Sequence, residues 1–173
     1  IVGCINDANI VTGAGQTVGG ICGLNNAGKT ILACLNTSNI LTGQTVGGIC
    51  GENQNATAGA ITACLNVGML NKSADNLGGI CGIFTGTVDE KIINTCYWLT
   101  GTARKAQATA DEVAIGKTTV GTMASLTNEA ADLAASVIRT TAIDKLNAAL
   151  TSNHWKFVLE PSISSWPIPV PNP

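Results

Sequence analysis

Charge is scarce in this chain: acidic and basic residues make up 12% of its 173 residues, about half the usual share, and the net charge is −2. No basic run is available to hold a phosphate backbone or an anionic membrane surface, so nucleic acid is not an expected partner. Aromatics are scarcer still at 3%, which leaves packing to small apolar and hydroxyl side chains. No apolar run approaches the roughly twenty residues that span a bilayer, so no transmembrane segment is expected. The start, Ile1-Val-Gly3, lacks an initiator methionine and a signal peptide, and the chain is expected to be a mature or excised portion of a longer protein. A single histidine, His154, excludes multi-histidine metal sites, and no CxxC pair offers a zinc or redox site.

What is present is repetition. One phrase occurs as Val18-Gly-Gly-Ile-Cys-Gly23, Val46-Gly-Gly-Ile-Cys-Gly51 and Leu77-Gly-Gly-Ile-Cys-Gly82. A second occurs as Gly3-Cys-Ile-Asn6, Ala33-Cys-Leu-Asn36, Ala63-Cys-Leu-Asn66 and Thr95-Cys-Tyr-Trp98. The cysteine steps are 28 and 31 in the first phrase and 30, 30 and 32 in the second. A period near thirty signals stacked coils, none of which can bury its inner face alone. Each coil is expected to hold three short extended segments, such as 17–22, 30–35 and 39–42, with Gly and Asn at the corners.

Two columns of cysteine result from this stacking. Equivalent residues of successive parallel coils lie about 4.8 Å apart with parallel Cβ vectors, beyond the roughly 3.8 Å that a disulfide prefers. The expectation is reduced, mostly buried thiols that pack as small hydrophobes. Asn6, Asn36 and Asn66, with a second set Asn25 and Asn53, can stack in the same way and bond one another, or serve as solvated turn residues. Both columns break in the last coil at Ile83-Phe84 and Tyr97-Trp98, which suggests that this coil is covered by the segment C-terminal to it.

The alternation of Val-Gly-Gly-Ile-Cys-Gly with a Cys-Leu-Asn or Cys-Tyr phrase and a closing Thr-Gly resembles the GLUG-motif repeats of bacterial surface and secreted proteins. The likeness covers roughly the first hundred residues, with departures at Asn71-Lys-Ser73 and in the shortened last coil. It implies an extracellular or cell-surface adhesin-type or stalk module, with no catalytic residue to carry over.

After Ala103 the period vanishes and alanine rises. Thr109-Ala-Asp-Glu112 has the form of a short helix start. Residues 127–139 place Ala130, Leu133, Ala134, Val137 and Ile138 at helical spacing. Thr141-Ala-Ile-Asp144 resembles a capping box, and Ile143, Leu146 and Leu150 form an apolar face. This helical element is expected to dock on the open end of the coils, where strand edges need cover. The tail from Trp155 to Pro173 holds all five prolines and reads as an extended stretch along the domain or into a linker, or as a proline-recognition ligand, with Trp155, Phe157 and Trp166 as packing anchors.

Motifs that suggest chemistry dissolve under this period. Gly23-Leu-Asn-Asn-Ala-Gly-Lys-Thr30 matches the phosphate-loop pattern, but that loop must open a helix, and Ile31-Leu-Ala-Cys-Leu35 reads as a strand. The start Ile1-Val-Gly3 is like an activated trypsin-type amino terminus, yet no serine motif or triad accompanies it. A glycan-cleaving solenoid needs convergent carboxylates, whereas Asp7, Glu52, Asp75, Asp89 and Glu90 fall at unrelated repeat positions, and Asp89-Glu90-Lys91 reads as a solvated loop. His154 fits a surface or packing role. Thr12 with Thr42 and Thr17 with Thr45 could order water or a glycan, or simply suit exposed strands.

The expected architecture is therefore mainly β: a parallel β-solenoid of about three to four 30-residue coils over residues 1–101, and a C-terminal α-helical capping subdomain with a Pro-rich extended tail over 102–173. No catalytic, cofactor-binding or metal-binding residue is nominated. The expected function is a non-enzymatic bacterial cell-surface or secreted module, adhesin-like or a structural spacer. Its expected partner is a host or bacterial surface protein or a glycan. The alternative is a carbohydrate-binding or polysaccharide-cleaving β-solenoid.

Overall fold

The computed structural model of the chain describes residues 1–87, 91–106, 112–162 and 164–173, so the expectations at Asp89, Glu90 and 109–111 lie outside the described residues. The first coil contributes β1 (Ile5–Asn6). The second holds β2 (Thr17–Gly19), β3 (Cys22–Asn25), β4 (Ile31–Leu32) and β5 (Leu35–Asn36). The third repeats these as β6 (Thr45–Gly47), β7 (Cys50–Asn53), β8 (Ile61–Thr62) and β9 (Leu65–Asn66), and the fourth as β10 (Asn76–Gly78), β11 (Cys81–Phe84) and β12 (Ile93–Leu99). Then come β13 (Ile115–Thr118), α1 (Met123–Leu126), β14 (Thr127–Leu133), α2 (Ala135–Ile138), α3 (Thr141–Ala148), β15 (Trp155–Val158) and β16 (Ile168–Pro171).

Equivalent strands pair in parallel, giving a β-solenoid of about four turns with three stacked sheets: β2-β6-β10, β3-β7-β11-β13, and the sheet through β1, β5, β9, β12, β8 and β4 with β14 beside β12. Register obeys the repeat, with Cys22 on Cys50 on Cys81 and Leu35 on Leu65 on Tyr97. The interior is closed by side chains such as Ile31, Val46, Ile49, Ile61 and Ile80, all without solvent contact. Each Val-Gly-Gly-Ile-Cys-Gly phrase spans a corner: one strand ends at the first glycine and the next begins at the cysteine. Within Ile-Leu-Ala-Cys-Leu, Ala33 has φ 52 and separates β4 from β5.

Beyond residue 101 the ladders continue, because β13 pairs with β11 and β14 with β12. Residues 127–133 are therefore strand rather than the expected helix, and only 135–138 coil up as α2. An alanine-rich segment carries little periodic information, so the unpaired edge of β12 decides its conformation and places Ala130 beneath Cys96. Thr140, not Thr141, is the N-cap of α3 and makes no side-chain cap bond, so the expected capping box does not form. Ala142, Leu146 and Leu150 are buried, with Ile143 packed at their margin.

The helices α2 and α3 do not cover the open end of the coils, whereas α1 brings Leu126 into the solenoid core. α2 and α3 lie with the β15-β16 hairpin along one flank, where Leu146, Leu150 and Phe157 bury the outward faces of Leu35, Leu65 and Tyr97 in a second apolar cluster. The reason is legible in the coils: this flank alone carries Leu, Leu and Tyr on its outer face, and their burial is favourable by about 25 cal/mol per Å². Trp155 reaches the first coil, its ring occupying the space that a Cβ on Gly3 would need. Pro169 and Pro171 stand opposite Phe157 and Trp155 in the antiparallel hairpin, so the tail is a strand at its proline-tolerant edge.

Candidate functional site

The backbone repeats a left-handed residue in each of the four coils and on the added strand β14: Gly3, Ala33, Ala63, Thr95 and Glu129, with φ of 66, 52, 50, 49 and 55. Each precedes an inward column residue, Cys4, Cys34, Cys64, Cys96 or Ala130. On the rung that β14 adds to β12, this kink carries a carboxylate into a small cavity between β14 and α3. Tyr97 Oη donates to Glu129 Oε1 at 2.7 Å, and Lys145 Nζ donates to the same oxygen. Leu133, Val137, Thr141 and Ala142 line the rest of a cavity of about 350 Å³.

The electrostatics of this cluster hold its charges in place. Lys145 and then the Tyr97 hydroxyl hold the Glu129 carboxyl below its ordinary range. Burial, together with the hydrogen bond to Glu129, pushes the Tyr97 phenol well above its ordinary value. Glu129 is thus an anchored acceptor and a poor general base at neutral pH, and Tyr97 stays protonated. The arrangement suits holding α3 on the flank. Among the described residues it has no second convergent carboxylate and no free proton acceptor.

A second concavity of about 480 Å³ opens at a corner of coils two and three, lined by Ala14, Thr42, Gly43, Gln44, Asn71 and Asp75 among others. Gln44 Nε2 donates to Asp75 Oδ2 at 2.7 Å, and Asn71 Nδ2 to the Gly43 carbonyl at 2.8 Å. It is an open groove of mixed lining, in which Leu41 and Ala14 stand beside amides, hydroxyls and one carboxylate.

The motifs that suggested chemistry take ordinary places in the fold. Gly23–Thr30 is the end of β3 and an exposed turn into β4, with no helix to meet a phosphate. Asp7 is an exposed turn residue, Glu52 accepts Thr85 Oγ1 at 2.7 Å on the β3-β7-β11 sheet, and Asp75 faces Gln44, so these acids do not converge. His154 is exposed, and its carbonyl accepts the Asn172 amide. The threonines are tied into ladders, with Thr12 N donating to Thr42 Oγ1 at 2.6 Å and Asn76 Nδ2 to Thr45 Oγ1 at 2.9 Å. Among the described residues, no group of three or more His, Cys, Asp or Glu is placed to hold a metal ion. Nor is any helix among them long and apolar enough to cross a membrane.

The asparagines form bonded ladders. Asn6 Nδ2 donates to Asn36 Oδ1 at 2.8 Å, Asn36 Nδ2 to Asn66 Oδ1 at 2.7 Å, and Asn25 Nδ2 to Asn53 Oδ1 at 2.7 Å. All seven cysteines are free, and five are buried. The flank cluster of Tyr97, Glu129 and Lys145 is not evident from the repeat. Its only sequence signal is that Tyr97 stands where the repeat has Leu35 and Leu65. Comparison with family models, with curated proteins and with solved structures finds no match to this chain.

Proposed function

We propose that the chain is a non-enzymatic module of a longer bacterial surface or secreted protein, of the kind that GLUG-motif repeats form, and that it spaces or presents a binding surface. The observation that supports this most is the fate of its polar side chains. Asn6-Asn36-Asn66, Asn25-Asn53 and Thr12-Thr42 bond one another between coils, and the Glu129 carboxylate is held by Tyr97 and Lys145, so these groups serve the stack and its flank cover. A short stiff stack with a covered flank is suited to holding other domains at a fixed separation. Its binding partner would be a surface protein or a glycan.

A second reading is favoured by the open groove beside Leu41, Thr42, Gln44, Asn71 and Asp75, whose amides and hydroxyls match the hydrogen-bonding groups of a sugar. The test pairs glycan-array binding with a polysaccharide hydrolysis assay on the purified chain. Binding without cleavage, or neither, agrees with the proposal; turnover of a glycan at ordinary enzymatic rates overturns it. Loss of array binding on Gln44→Ala and Asp75→Ala would assign the glycan to the groove.

A further inference from the structure

The two ends of the solenoid differ in chemistry. At the downstream end the repeat columns are terminated by other residues: Asn66 is succeeded by Trp98, Asn53 by Phe84, Cys81 by Ile115 and Cys96 by Ala130. At the upstream end they stop in full repeat chemistry. β1, β2 and β3 each close their sheet order with no strand of the described residues on the far side. Positions that are core one coil further on lie open: Ile1 is 48% exposed where its equivalent Ile31 is 0%, and Cys4 is exposed where Cys34 is buried.

The asparagine ladders show which way this end faces. Asn36 Oδ1 accepts both the Ser38 amide and Nδ2 of the upstream Asn6, and Asn53 Oδ1 accepts Nδ2 of the upstream Asn25. Asn6 Oδ1 has the matching local bond from the Ala8 amide, and no upstream donor among the described residues. Asn25 is 3% exposed and its Nδ2 is used twice, by Lys29 O and Asn53 Oδ1, while no described residue donates to its Oδ1. Both ladders therefore present carbonyl oxygens toward the open end. Two such ends set face to face would oppose acceptor to acceptor. The downstream end of a second copy, with Phe84, Thr118 and Asp132 in these columns, offers no amide donor.

We infer that this end is an interface for one further coil of the same sense, carried by polypeptide joined ahead of Ile1, with asparagine at both ladder positions and small apolar residues above Ile1, Ile21 and Cys22. The inference rests on the reading of the chain as part of a longer protein. It arises from continuity with the coil-to-coil interfaces already formed, in which each Oδ1 receives an amide from above and each strand edge is paired. The added coil would complete the β2 and β3 ladders and bury the thiols of Cys4 and Cys22.

The test is a chain extended ahead of Ile1 by a copy of residues 31–60, one period, in which Cys34→Ala and Cys50→Ala remove the copy's own thiols. The copy's Asn36 then lies thirty residues ahead of Asn6 and its Asn53 thirty-two ahead of Asn25, so that it repeats the pairing of Asn36 with Asn6 and of Asn53 with Asn25 in the existing stack. Iodoacetamide labelling read site by site is expected to slow at least tenfold at Cys4 and Cys22 relative to the unextended chain, with a higher melting temperature. A second extension carrying Asn36→Leu and Asn53→Leu in the copy should lose most of that protection. Unchanged labelling, loss of the cooperative melting transition, or equal protection by the leucine copy overturns the inference. Glycan hydrolysis would overturn the spacer reading and leave the labelling result standing.

Discussion

The Asn66 side chain occupies the place that a side chain on Gly48 would take: a Cβ there would lie 2.4 Å from Asn66 Cγ and 2.3 Å from the Gly79 carbonyl oxygen. The same relation joins Gly20 to Asn36 and Gly79 to the Trp98 ring. The second glycine of each phrase is thus the groove into which the ladder residue packs. Gly48→Ala must displace both a buried ladder amide and backbone, and is expected to cost about 3 kcal/mol. Gly28→Ala, at φ 72 with open space around it, should cost only about 1 kcal/mol for the left-handed backbone. Urea denaturation of the two variants checks the difference.

Removal of an internal ladder asparagine leaves partners on both sides. Asn36 accepts from Asn6 and Ser38 and donates to Asn66 and to the Ser38 carbonyl, all but Asn6 in buried surroundings. Asn36→Leu is expected to destabilise by roughly 3 kcal/mol, because an unmet buried polar group costs about 1–3 kcal/mol. Asn6→Leu, at the open end where water can replace the lost bond, should stay within about 1 kcal/mol. Equal losses for the two would show that ladder bonding is not what stabilises the coil corners.

The thiol columns give the fold an alkaline limit. Burial, with Cys96 and against the opposing bond to Cys34, holds Cys64 above the ordinary thiol range, and hydrogen bonding to Cys50 and then burial do the same for Cys22. The folded state therefore keeps protons that the unfolded chain releases. This contribution is fully present below about pH 9 and declines as pH rises, by up to about 1.4 kcal/mol per pH unit for each fully protected thiol. Urea midpoints should be flat from pH 7 to 8.5 and fall steeply toward pH 11, and Cys64→Ala should make the fall shallower.

Glu129 works in the opposite direction on the pH scale. Its folded carboxyl titrates below the ordinary value because Lys145 and Tyr97 bond to it, so its contribution is present above about pH 4.3 and is lost as pH falls. The ion pair is partly exposed and is worth at most about 1 kcal/mol. Glu129→Gln should therefore cost about 1 kcal/mol at pH 7 and progressively less as pH falls below about 4, measured by urea unfolding from pH 7 to pH 3. A cost unchanged at pH 3 would mean that the carboxylate's charge plays no part in holding α3.

The coils were legible in the sequence because their constraint is repeated. Ile, Cys and Asn at thirty-residue steps fix a core column, and strands, stacking and both asparagine ladders result from it. The corner inside Val-Gly-Gly-Ile-Cys-Gly was harder, since glycine reports either a bend or a close approach and here does both for different partners. Residues 127–133 misled because helical spacing of alanines is weak information beside an open strand edge, which only the fold reveals. The docking flank was equally hidden: Leu35, Leu65 and Tyr97 read as strand residues, and the face each presents depends on the left-handed kinks at Ala33, Ala63 and Thr95. The Glu129 cluster unites three segments, and no local pattern announces it.

The downstream termination itself can be tested at Glu112. Its carboxylate accepts Trp98 Nε1 at 2.9 Å, the Gly101 amide at 2.6 Å and the Ala103 amide at 3.2 Å. It therefore fastens the aromatic that replaces the asparagine ladder to the turn that leaves the fourth coil. Hydrogen bonds to a charged acceptor are worth about 1.5–3 kcal/mol each before non-additivity, so Glu112→Ala is expected to cost roughly 3 kcal/mol. Glu112→Gln keeps one carbonyl oxygen but sets an amide donor against N–H groups, and should cost nearly as much. The decisive readout is local: hydrogen exchange at Gly101 and Ala103 should accelerate in Glu112→Ala while the amides of Ile49 and Cys50, two coil faces away, keep their protection. Uniform acceleration throughout the coils would show that Glu112 supports the whole stack rather than its last turn.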